Sequence, residues 1–207
     1  MLKTLRRVVD RHRHAHGRYG WLFRPYTGEE MVAIAVQATG RDPRHAEPLA
    51  IAAVRIRGDR VLTSESLELR LKRPGSLSGE AIRHHGLRGI DLDEGMTIDE
   101  ALARLLDFVG NRPLVGWRLD RELSLLNRQL RQEFGFDLPN AGIDLAQVYE
   151  RRQRHHHPQL EPSPRFEQVA ERLGVPVMGR HSALGTAVTT ALIHLRLARH
   201  SQIRRTS

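Results

Sequence analysis

Histidines, carboxylates and arginines carry the reactive chemistry in this chain, because its 207 residues include no cysteine. Without a thiol there is no thiolate nucleophile, no soft metal ligand and no disulfide framework. His155, His156 and His157 stand in a row beside Arg151, Arg152 and Arg154. Adjacent histidines lack the i, i+4 spacing that sets two ligands on one helix face, so 154–164 reads as a mobile basic loop and not as a zinc site. "WRLDRE" (117–122) places Asp120 and Glu122 among Arg118 and Arg121. Glu122 reads as a solvated helix-face acid paired with Arg118 or Arg121. Asp144 reads as a cap for the segment that follows it. His181 reads as a histidine in front of a helix, hydrogen-bonded locally.

These residues need a frame. "MVAIAVQ" (31–37) and "PLAIAAVRI" (48–56) are almost continuously apolar, as strands buried on both faces are. Gly58-Asp59 reads as a hairpin turn. "VLTSESLELRL" (61–71) alternates, with Leu67, Leu69 and Leu71 on one half-exposed face. Together these predict an antiparallel meander. Helices are predicted over 78–87, with Ser78 as cap and Gly86 as stop, and over 97–110, with Thr97 and Glu100 as a capping box. "RPLVGW" (112–117) is a short strand feeding a helix over 120–135. Residues 141–152 form a helix or a strand-to-helix step, and 165–175 and 183–200 close the chain as helices. The order predicts an α/β fold with a mixed sheet flanked by helices.

Net charge is +9, and it sits at the ends. Residues 1–24 hold seven Lys and Arg against one acid, and 196–207 hold four with none, so 25–195 is close to neutral. Arms of this kind attract phosphates of nucleic acid or of anionic lipid. Leu2, Leu5, Val8 and Val9 fall at helical spacing among Arg and His, which predicts a basic amphipathic helix over 2–14 that lies on a partner or a membrane surface, or docks on its own domain. Tyr19, Trp21, Phe23 and Tyr26 read as aromatics packing onto the domain. No apolar run approaches membrane-span length and no secretory signal is evident, so a cytoplasmic protein is expected. Three parts are expected: a basic N-terminal arm over 1–29, a domain over 30–197 and a basic tail over 198–207.

The motifs that follow one another along 30–197 resemble a known family. A strand ends in "TGRDP" (39–43); "IRHHGL" (82–87) follows, with Ile82, His85 and Gly86; then "RPLVG" (112–116) before a helix, "IDL" (143–145) and "RHSALGTA" (180–187). In this order they resemble the DEDDh-type 3′–5′ exonucleases of the ribonuclease H-like fold, the group of the DNA polymerase III epsilon subunit and ribonuclease T. The resemblance implies two divalent ions, Mg2+ or Mn2+, held by four carboxylates, and a histidine acting as general base. It places the four ligand positions at Ala35, Gln37, Glu122 and Thr186, and the base at His181. It places Thr39, His85, Trp117 and Arg118 where substrate approaches; the Trp and Arg could stack a base or fork a phosphate, or plug the cleft.

One of four ligand positions therefore keeps an acid. Two divalent ions need several anionic oxygens to offset their dehydration, and Glu122 alone cannot supply them. Asp120 and Asp144 are weak substitutes. The expectation is an exonuclease-like domain without resident cofactor, inactive or severely impaired, that binds a single-stranded 3′ end or a protein partner. The alternatives are an active exonuclease with a rearranged Mg2+ or Mn2+ site, and a docking protein that uses its basic helix on a partner or an anionic membrane.

Overall fold

The computed structural model describes residues 2–72, 94–156, 165–179 and 181–203. The predicted helix over 78–87, and His85 with it, lie outside these residues. A five-stranded mixed sheet carries the domain, in the order β3-β2-β1-β4-β5. β1 (Glu30–Ala38), β2 (Pro48–Arg57) and β3 (Arg60–Arg70) form the predicted antiparallel meander. Gly58 turns the β2–β3 hairpin at φ +58°, a conformation that glycine adopts without steric cost. β4 (Leu114–Gly116) runs parallel to β1, pairing Val32 with Leu114, and β5 (Gly142–Asp144) runs parallel to β4.

Helices α1 (Leu2–His14), α2 (Ile98–Val109), α3 (Leu119–Glu133), α4 (Leu145–His156), α5 (Phe166–Arg172) and α6 (Ala183–Ile203) surround the sheet. α2 begins as its sequence predicts: the Glu100 carboxylate accepts the Thr97 N–H (3.3 Å), and Gly110 ends it at φ +57°. α4 corrects the loop expected from 154. Helix continues through His155 and His156, and Arg152 donates to the Leu197 carbonyl (2.8 Å), fastening the last turns of α4 to α6. His157 lies outside the described residues.

β1 is buried on both faces, as its apolar run predicts, and its two faces differ in size. Val32 and Ile34 pack with Leu102, Leu105, Leu126 and Leu130 of α2 and α3. Ala33 and Ala35 share the other core with Ala187 and Ala191 of α6. Small residues on both sides of that seam let α6 approach the sheet closely. Ala35 therefore sits in a packed apolar layer, 2% exposed.

α1 docks on its own domain, and through its polar face. Asp10 is buried against Arg131 (2.9 Å), which also meets Asp137 (2.9 Å). Arg7 donates to the Asn140 carbonyl (2.7 Å), and the His14 ring packs edge-on against Phe136. Val8 and Val9, predicted on the apolar stripe, face solvent. Two polar contacts and one ring contact hold the helix where apolar burial was the simpler expectation. Tyr19 and Phe23 pack on Phe136, and the Tyr26 hydroxyl accepts the Glu30 N–H, so this aromatic run is structural.

Candidate functional site

A cleft of about 350 Å³ opens at the C-terminal end of β1, between the start of α3, the start of α5 and the segment leading into α6. Ligands of open α/β sheets bind at this end of the strands, because the connections diverge there. Gln37, Trp117, Arg118, Glu122, His181 and Thr186 all line it, so six of the residues singled out in sequence meet in one place. Ala35 lies in the core beneath. Thr39 holds the loop after β1: its hydroxyl accepts the Glu47 N–H (3.0 Å) and its own N–H donates to the Glu47 carbonyl (2.9 Å).

Asp120 and Asp144 face a different cleft of about 630 Å³ beside α3, which Arg7 and Arg131 also line. Asp144 is a cap, as expected. Its Oδ1 accepts the N–H groups of Arg118 (3.2 Å), Ala146 (3.0 Å) and Gln147 (3.3 Å), which joins the ends of β4 and β5 to the start of α4. Asp120 accepts from the Gln147 amide (3.1 Å).

Glu122 corrects the expectation of a solvated acid paired with arginine. Its carboxyl turns inward, and Oε2 is enclosed without a hydrogen-bond partner. Burial pushes its pKa well above the usual carboxylate range; a backbone hydrogen bond at Val36 and the charge of Arg121 oppose the rise, and Asp144 adds to it. The fold makes room for it at Gly116, where a Cβ would stand 3.1 Å from Oε2 and 2.7 Å from Leu119 Cδ1.

The other ligand positions are committed elsewhere. The Gln37 amide donates to the His181 carbonyl (2.5 Å), bridging β1 to the segment before α6. The Thr186 hydroxyl donates to the Ser182 carbonyl (2.9 Å) within its own helix turn. His181 is exposed and left-handed at φ +67°. Arg118, the residue before α3, is left-handed at φ +55°. Among the described residues these are the two non-glycine positions with positive φ, and both line the cleft. Strained backbone collects where a surrounding structure has a use for it.

Arg118 and Arg121 line the cleft, and Arg41 lies near Arg121. Arg121 donates to the Gly40 carbonyl (3.0 Å), and its pKa is lowered, first by partial burial and then by the nearby charges of Arg41 and Arg118, against the opposing pull of Glu122. Trp117 packs edge-on against Phe166 of α5, with ring centroids 5.5 Å apart, and both rings line the cleft. Sequence reading placed Arg118 and Arg121 together at this strand end and missed the part played by Arg41 and Phe166. Their approach depends on how the loop after β1, the start of α3 and α5 meet, which no local pattern encodes.

These residues do not fit a two-metal centre. Ala35 brings no donor atom, Gln37 and Thr186 bring neutral groups already engaged, and the Glu122 carboxyl is driven toward its neutral form. Among the described residues no three His, Cys, Asp or Glu side chains gather as a metal-binding group. Hard divalent ions require several anionic oxygens at short range, and arginines stand in their place.

Residues 32–193 match the RNase_T family model, described as an exonuclease. The chain belongs to this DEDDh-type exonuclease family. It is 29% identical over 167 residues to the DNA polymerase III subunit epsilon of Aquifex aeolicus, covering 80% of this chain and 79% of that protein. Its fold is similar to the crystal structure of cell-death related nuclease 4 (TM-score 0.71, 14% identity, 84% of this chain and 64% of that one). It is also similar to Escherichia coli exonuclease I in complex with a dA16 oligonucleotide (TM-score 0.70, 18% identity, 85% of this chain). The chain spans 42% of that exonuclease I, so the likeness there concerns one domain's fold.

Proposed function

We propose that this protein is an exonuclease-family domain that binds single-stranded nucleic acid at an end and does not cleave it. One observation carries the reading: of the four positions that correspond to the family's metal ligands, Ala35 is packed in the core, Gln37 is tied to the His181 carbonyl, Thr186 is tied to its own helix, and only Glu122 is an acid. Exonuclease I, whose fold this domain shares, was crystallised with single-stranded oligonucleotides, which supports nucleic acid as the ligand. No resident metal is required, and His181 has no metal-bound water to deprotonate. The absence of cysteine is in keeping with a cytoplasmic setting.

The test is incubation of the purified chain with 3′-labelled and 5′-labelled single-stranded DNA in Mg2+ and in Mn2+. The expected result is a retarded but intact strand. Shortening from the 3′ end that stops with chelator, and that is lost in both Glu122→Ala and His181→Ala, overturns the reading in favour of a rearranged active site. A strand that is neither bound nor cut points to a protein partner. Co-sedimentation with anionic vesicles that disappears on deleting 1–16 points to docking through α1.

A further inference from the structure

α1 meets its own domain with one face only. At about 100° per residue, Arg7, Asp10 and His14 share the docked side. Asp10 is buried against Arg131, Arg7 donates to the Asn140 carbonyl, and the His14 ring packs on Phe136. Val8 and Val9 fall on the opposite side and are 61% and 51% exposed. Among the described residues Met178 is the one other large apolar side chain so open to water. In the sequence, Leu2 and Leu5 have the spacing of the same stripe. The helix is amphipathic, and the domain holds it by its polar face.

Charge narrows what covers the open face. Asp10 is the only acid in residues 1–24, and the fold turns it inward. By helical spacing Arg11 borders the valines on one side and Arg6 and Arg13 border them on the other. All three arginines are exposed. An apolar stripe between guanidiniums matches a surface that is anionic at its boundary and apolar beneath, as the headgroup region of an anionic bilayer is. A nucleic-acid backbone would satisfy the arginines and leave the valines in water. A second copy of the chain would bring the same cations against each other. A helix groove in a partner protein draws its affinity from a few large anchors, among which valine is rare.

The fold also prepares the helix. Thirteen residues are marginal as an isolated helix in water. Contacts with Arg131, Asn140 and Phe136 hold α1 in place beforehand, so less ordering remains to be done at a surface.

We propose that α1 docks the protein on anionic membranes. It stays on its domain through Asp10 and lays Val8 and Val9 into the bilayer surface, with Arg6, Arg11 and Arg13 at the headgroup phosphates. Among the described residues none from α1 lines the cleft at the end of β1, so this docking is independent of what the cleft binds.

Co-sedimentation of the full chain with vesicles of phosphatidylcholine, and of phosphatidylcholine mixed with phosphatidylserine, tests this. The anionic vesicles are expected to bind at least about tenfold more tightly, with affinity falling as salt rises. Val8→Ser combined with Val9→Ser is expected to lose about fivefold or more, with an unchanged urea midpoint because both side chains are exposed. Arg11→Gln combined with Arg13→Gln is expected to lose about tenfold or more. The chain has no cysteine, so Val8→Cys carries a single environment-sensitive fluorophore. Its emission should shift to the blue on anionic vesicles, and the same label at Ser64→Cys on the edge strand β3 should not shift. Equal binding to both vesicles, full affinity in the valine variant, or an unshifted label at position 8 overturns the inference. Absence of vesicle binding overturns it as well. In that case, weaker single-stranded DNA binding by the Arg11 and Arg13 variant assigns the face to nucleic acid, and unchanged DNA binding assigns it to an acidic protein.

Discussion

The two ends of β1 treat charge in opposite ways. At its start, Glu30 takes Arg57 (2.5 Å) and Arg112 (2.7 Å), and these two hydrogen bonds hold its carboxyl below the usual range despite some burial. At its end there is no acid on the strand. The Arg118 and Arg121 side chains make no ion pair among the described residues, and Glu122 beside them has an enclosed Oε2 and a pKa pushed up by burial. The first end is a closed network that joins β1 to β2 and to Arg112, two residues before β4. The second has no such ion-pair network among the described residues: Arg121 donates to the Gly40 carbonyl instead. The same backbone thus separates charges joined in ion pairs from charges that line an open cleft.

The largest way to break this contrast is to put an acid into the packed seam beneath the cleft. Ala35→Asp buries a carboxylate among alanines and should lower unfolding stability by about 3–5 kcal/mol in urea titration. Mn2+ should not restore it, because one enclosed acid is a poor partner for a divalent ion. A smaller loss is expected at the closed end: Glu30→Gln should cost about 1.5–3 kcal/mol at pH 7, the range for hydrogen bonds to charged groups. The Glu30 pKa is lowered on folding, so its contribution is present above the unfolded value and fades as pH falls through the folded one. The difference between wild type and Glu30→Gln should therefore shrink in acid.

Glu122→Gln should act with the opposite sign. The Glu122 pKa is raised on folding, so the folded state holds its proton more tightly, and wild-type stability falls as pH rises from the unfolded carboxylate range toward the folded pKa. Removing the ionisable group should stabilise the protein by about 1–2 kcal/mol at pH 7.5 and have little effect near pH 4, as read from paired urea titrations. The smallest effect is expected for Gln37→Ala. Losing its bond to the His181 carbonyl should cost about 0.5–1.5 kcal/mol and speed amide exchange in the first turn of α6.

Much of this architecture is legible locally. The apolar runs over 31–37 and 48–56, Gly58, the Thr97–Glu100 box and the 120–135 periodicity all report on their own neighbourhoods, where burial and turn geometry act over a few residues. The end of α4 was misread because Arg152 is held by a carbonyl of α6, a contact between residues far apart in sequence. The docking of α1 was half-legible. Its helix follows from spacing, but the choice of the Asp10 face over the Val8 and Val9 face depends on Arg131 and Asp137 waiting on α3 and beyond its end.

The amino-acid sequence alone determined that Ala35, Gln37 and Thr186, three of the four positions where the resemblance places ligands, are not acids, because residue identity needs no coordinates. It determined the strands and most of the helices, because hydrophobic period and capping are local. Tertiary structure alone decided what became of the cleft. Whether Glu122 points to solvent or inward, whether Gln37 is free or tied to His181, and whether Arg41, Arg118 and Arg121 meet are all set by long-range packing. Electrostatic character at a site depends on distance and burial, and neither is a property of a single position in the chain.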